Sequence, residues 1–146
     1  MVIAFLLTLG VAMIGWFRPT QTKSTVPPTY TNQQVSEAKA SVCAAYGKAH
    51  HAVLANTGRS GDNDPATLLG LAANARIALF DSGAYLFRVL AEQPATAADL
   101  GDATRNLAKS YQDLALNYMA EASDSELEAS RQTVEAAGTR VSELCK

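Results

Sequence analysis

The side chains able to do chemistry in this 146-residue chain are few: two cysteines, Cys43 and Cys145, and one histidine pair, His50-His51. Adjacent helical residues point about 100° apart, so the two imidazoles do not converge on a metal and read as exposed. Cys43 and His50 stand on one helical face, a placement that superficially suggests a thiol–imidazole pair. No third group is evident to orient such a pair, and a bridged Cys43 cannot act as a nucleophile. The chain has no Gly-x-Ser-x-Gly, no phosphate loop, no Cys-x-x-Cys and no Glu-x-x-His pair of a di-metal bundle. The expectation is a protein that is not an enzyme, with no cofactor and no metal. What the cysteines do instead depends on the elements that carry them.

Those elements read as helices from Thr31 onward. Thr31-Asn32-Gln33-Gln34 fits a capping box, and the apolar positions Val35, Ala38, Val42, Ala45, Ala49 and Val53 then recur three and four apart. Asn56-Thr57-Gly58 stops that helix, and Gly58 to Asn63 is a polar loop. Asp64-Pro65 starts a second helix with the stripe Leu68, Ala72, Ala75, Leu79, Leu86 and Val89. Leu69, Ile77 and Phe80 widen its apolar surface, so it is expected to be the most buried of the set. Gly70 and Gly83 lower its helix propensity and point to close packing. Glu92-Gln93-Pro94 ends it. Thr96-Ala97-Ala98-Asp99 is read as the cap of a third helix (Leu100, Ala103, Leu107, Tyr111, Leu114, Tyr118). Ser123-Asp124-Ser125-Glu126 is a capping box for a fourth (Leu127, Val134, Ala137, Val141, Leu144). No stretch alternates with period two, so residues 31–146 are expected to form an all-α, up-down-up-down four-helix bundle.

In that topology the first and fourth helices are antiparallel neighbours, which brings Cys43 and the C-terminal Cys145 to the same end of the bundle. A bridge between them closes about 100 residues, worth up to ~4.7 kcal/mol if it acts by restricting the unfolded chain. It also implies an oxidising compartment.

Ahead of the bundle, residues 1–17 (Met1 to Phe17) carry no charge and are followed at once by Arg18-Pro19. As a helix this leader rises roughly 25 Å, close to the ~30 Å hydrocarbon thickness. It has no basic start and no Ala-x-Ala cleavage site, and Trp16 suits the interfacial belt, so it is read as a retained single transmembrane helix rather than a cleaved signal peptide. Ala4, Thr8, Ala12 and Gly15 lie on one of its faces, a ridge of small residues that lets a partner helix approach closely. Residues 18–30, with prolines at 19, 27 and 28, are an extended linker. Arg18 and Lys23 after the span favour a cytoplasmic domain, whereas the cysteine pair favours an extracytoplasmic one. The cysteines decide the expectation, and with it that residues precede Met1. A net charge of −2 and the lack of a Lys/Arg run give no electrostatic footprint for nucleic acid.

Val42-Cys43-Ala44-Ala45-Tyr46, Ala73-Asn74-Ala75-Arg76, Gly83-Ala84-Tyr85-Leu86 and the ending Leu144-Cys145-Lys146 resemble alanine-rich, single-pass, membrane-anchored extracytoplasmic proteins of mycobacteria and related actinobacteria. The resemblance covers most of residues 30–146. It implies an accessory subunit of a large envelope complex, either a respiratory supercomplex or a lipid-transport machine. Docking is then expected through the transmembrane helix, and through surface aromatics such as Tyr85, Phe87 and Tyr111. The expected surroundings are an integral membrane protein complex and the membrane lipid around the leader. The alternative is a membrane-tethered binding module that holds a lipid or small apolar ligand between its helices.

Overall fold

The computed structural model describes residues 28–58 and 64–146. Among them the chain is all-α: α1 (Asn32–Thr57), α2 (Pro65–Glu92), α3 (Ala98–Met119) and α4 (Asp124–Leu144) form a four-helix bundle. The leader, with Ala4, Thr8, Ala12 and Gly15, lies outside the described residues. No helix of the described residues is long and apolar enough to cross a membrane.

Local chemistry sets the helix starts. The Thr31 hydroxyl accepts from the Gln34 amide while the Gln34 side chain accepts from the Thr31 amide, and Ser123 with Glu126 repeats the arrangement at α4. Asp64 accepts from the Thr67 amide, and Pro65 occupies the first helical position of α2. That amide bond, with the Thr67 hydroxyl beside it, holds the Asp64 carboxyl below its ordinary value. The start of α3 differs from the expectation. Ala97 takes the cap position with no side-chain bond, because the Thr96 hydroxyl donates back to the Gln93 carbonyl and Asp99 accepts from the Leu100 amide.

Pairs along the seams give the topology. Leu107 lies beside Gly138 while Asn117 bonds Ser130, so α3 and α4 run antiparallel. Cys43 joins Cys145 while the Tyr46 hydroxyl donates to the Gly138 carbonyl, so α1 and α4 do too. Extensive packing joins α1 to α2 and α2 to α3, which completes the up-down-up-down order. Val42, Ala45, Ala49, Leu79, Leu86, Leu107, Leu114 and Val141 form the shared core. Ion pairs such as Arg88–Glu92 and Arg105–Asp102 link exposed residues of the same helix. They contribute little, so apolar packing sets the register.

The most buried helix is α3 and not α2, which corrects the expectation. Leu100, Ala103, Thr104, Leu107, Ala108, Tyr111, Leu114 and Ala115 of α3 are all buried, whereas α2 has no buried residue before Leu79. The reason is register. The Ser82 hydroxyl donates to the Ala49 carbonyl; from that level α2 runs back about 26 Å to Pro65, while α1 runs on only about 12 Å to Thr57. The first turns of α2 stand beyond the end of α1 and have little to pack against.

The two α2 glycines have different meanings. A Cβ on Gly83 would sit 2.6 Å from the Ala108 carbonyl oxygen, so Gly83 is what lets α2 approach α3. A Cβ on Gly70 would meet nothing within 4 Å. Gly70→Ala therefore raises stability, by about 0.8–1 kcal/mol from helix propensity alone. Thermal unfolding of the variant checks this, and an unchanged or lower midpoint contradicts it.

Candidate functional site

Cys43 and Cys145 are disulfide-bonded, with Cα atoms 5.6 Å apart and a sequence separation of 102. The bridge ties the last turn of α4 to α1. Above it the α1–α4 seam is the loosest of the four, since those helices touch little while the other three neighbouring pairs pack along their lengths. The result is a cleft of about 670 Å³ between α1 and α4, with α2 and α3 as its floor.

The cleft wall changes character along its length. Val53, Leu54, Leu114 and Val134 line the end away from the disulfide, with Leu79 in the floor and Thr57, Tyr118, Arg131 and Glu135 among them. Thr139, Ser142, Glu143 and Lys146 line the end near it. At the boundary sit three rings. His50 stacks on Tyr46 with centroids 5.5 Å apart, and the Tyr111 hydroxyl lies 3.5 Å from His50 Nδ1. Burial, and after it the neighbouring Tyr46, pushes Tyr111 above the ordinary tyrosine range, so its hydroxyl stays protonated. At the outer rim Arg131 donates to the Tyr118 hydroxyl at 3.1 Å and to Glu128 at 2.9 Å.

A second feature is the outward face of α2. Leu69, Ile77, Phe80 and Phe87 are 68%, 58%, 43% and 38% exposed. At 100° per residue they fall within an arc of about 80°, roughly opposite the buried arc of Leu79, Ser82, Leu86 and Val89. The helix thus carries two apolar faces, and the bundle covers one.

The sequence-predicted residues are distributed unevenly over these features. Of the aromatics expected at the surface, Phe87 is exposed, Tyr85 is half-buried, and Tyr111 is buried at 1% exposure because it points inward from α3 to form the cleft floor. His51 is exposed as expected, but His50 is half-buried in the cleft. A signal for it was present: Tyr46, His50 and Val53 share a helical face that borders the core stripe. Cys43 does not pair with His50, because the disulfide occupies its sulfur. Among the described residues no group of three or more His, Cys, Asp or Glu side chains converges as a metal site. No family model, no curated protein and no solved structure matches the chain.

Proposed function

We propose that this protein is a non-catalytic accessory subunit of a larger inner-membrane complex, a respiratory supercomplex or a lipid-transport machine. Its leader is a single membrane span and its bundle lies outside the cytoplasm. The observation that carries this reading is the uncovered apolar face of α2. From Leu69 to Phe87 it extends about 27 Å, long enough to receive a helix of another subunit along five turns. Large apolar side chains gathered on one exposed helix face are what an interaction surface requires.

The leader and linker favour an integral membrane partner. A linker of the length of residues 18–30 reaches about 40 Å as polyproline II, which in this reading keeps the bundle within reach of a membrane-anchored partner. The small-residue face Ala4, Thr8, Ala12 and Gly15 supplies a second contact within the membrane. The disulfide supports the extracytoplasmic side, since such bridges persist in oxidising compartments.

The test is co-purification in mild detergent. Leu69→Glu with Ile77→Glu places two charges on side chains that are already solvated, so the bundle keeps its thermal midpoint. The variant is expected to be lost from the complex that retains the wild type. Recovery at undiminished stoichiometry contradicts docking through α2. A second reading, the tethered binding module for a lipid or small apolar ligand, is favoured by one specific observation, the α1–α4 cleft.

A further inference from the structure

The polarity gradient of the α1–α4 cleft has a direct chemical counterpart. We infer that the cleft binds a single-chain lipid whose head carries a hydrogen-bond-accepting oxygen, a fatty acid or its simple ester. The acyl chain lies along Val53, Leu54, Leu114 and Val134, and the head lies at His50, toward Thr139 and Ser142. This rests on the binding-module reading and adds to it a site, an orientation and a ligand class.

Size and chemistry both select this class. A volume of about 670 Å³ falls within the 300–1,000 Å³ of ordinary ligand pockets and suits one chain in a narrow seam between two helices. The aliphatic lining is confined to one end, where Val53, Leu54, Leu114 and Val134 stand among Thr57, Arg131 and Glu135; the other end, with Thr139, Ser142, Glu143 and Lys146, has none. A wholly apolar ligand would leave the polar end unused, and a wholly polar one would lie against valine and leucine. At the boundary the half-buried His50 ring lines the cleft with its Nδ1 3.5 Å from the Tyr111 hydroxyl, and the Tyr46 hydroxyl is already committed to the Gly138 carbonyl. A ring nitrogen at this place gives an oxygen-bearing head a polar partner in the middle of the cleft. The rim carries both signs of charge, Glu135 and Glu143 with Arg131 and Lys146, so the head is chosen by its oxygen and not by its net charge.

Among the described residues the bridge and the Tyr46–Gly138 bond close the seam at the polar end. The chain therefore enters from the end near Thr57 and Tyr118, where Leu54 is 57% exposed.

The experiment uses the full chain in phosphatidylcholine nanodiscs, with palmitate bearing a photoactivatable diazirine on its chain. Light-induced adducts are mapped by peptide mass spectrometry. Adducts are expected on peptides covering residues 46–57 and 131–142. Thr139→Trp, which adds bulk at an exposed wall position without entering the core, cuts them about tenfold or more. His50→Phe keeps a ring beside Tyr46 but removes the polar nitrogens, and also cuts labelling by about tenfold, the loss of one hydrogen bond to the head. Ile77→Glu leaves labelling unchanged. Undiminished adducts in Thr139→Trp overturn the site, and undiminished adducts in His50→Phe overturn the head-group assignment. Adducts that move to α2 and vanish in Ile77→Glu overturn the cleft but keep a lipid-binding module. Absence of any adduct on the bundle overturns both.

Discussion

Replacing Cys43 with serine lowers the stability of the bundle by about 2–5 kcal/mol. The bridge spans 102 residues, so its loss frees nearly the whole bundle sequence in the unfolded state. The native state suffers as well, because the seam it closes is the weakest. Once the sulfurs part, the Tyr46 hydroxyl on the Gly138 carbonyl is the nearest remaining tie between α1 and α4. The last turn of α4, with Leu144 only half-buried, should then exchange its amide hydrogens first. Urea unfolding of the oxidised protein, the reduced protein and the Cys43→Ser variant measures the loss. Reduced and Cys43→Ser proteins should agree, both well below the oxidised form. Three coincident midpoints would mean that the bridge contributes nothing.

Gly83→Ala is the second large change, and its sign runs against helix propensity. On an open helix the substitution gains about 0.8–1 kcal/mol, as expected at Gly70. At Gly83 the added methyl meets the Ala108 carbonyl oxygen at 2.6 Å and Gln112 Cγ at 2.7 Å. The glutamine side chain can swing aside, but the carbonyl belongs to the backbone of α3, which is buried on several sides. Relief requires α2 and α3 to move apart, which loosens the packing of Leu79 and Leu86 against Leu107. Overpacking of this kind typically costs about 1–3 kcal/mol, enough to exceed the propensity gain. Gly83→Ala should therefore unfold at lower urea concentration than the wild type while Gly70→Ala unfolds at higher. If both variants shift the same way, the close α2–α3 approach is not what Gly83 serves.

Much of this architecture is legible in the residues. Capping boxes at Thr31 and Ser123, Asp64-Pro65, and apolar residues three and four apart are local signals, and the structure follows them. The pairing of Cys43 with Cys145 was also within reach, because an up-down-up-down order leaves the first and last helices as antiparallel neighbours. Burial was less accessible. The second helix has apolar residues on nearly every side, and composition alone reads that as a core element. What decides the matter is the axial offset set by Ser82 against Ala49, a long-range contact no local pattern encodes. The same limit hid the cleft. Periodicity predicts which faces are apolar, not whether two such faces close on each other: Tyr111 stands in the apolar stripe of the third helix, but His50 was read as exposed, and its approach to the Tyr111 hydroxyl is a long-range contact. The exposed stripe Leu69, Ile77, Phe80 and Phe87 is visible in the sequence as a widened apolar arc. Only its lack of a partner within the bundle required coordinates.

The central claim, that α2 is a docking face for an integral membrane subunit, is tested most directly by placing a photoreactive side chain at Ile77 in the full chain and irradiating native membranes. The matched control carries the same group at Arg140, an exposed position on α4. A single adduct from Ile77, absent from Arg140, whose second component is a membrane-spanning protein recovered in stoichiometric amount, is the predicted result. A homodimeric adduct, or the same products from both positions, would contradict the claim.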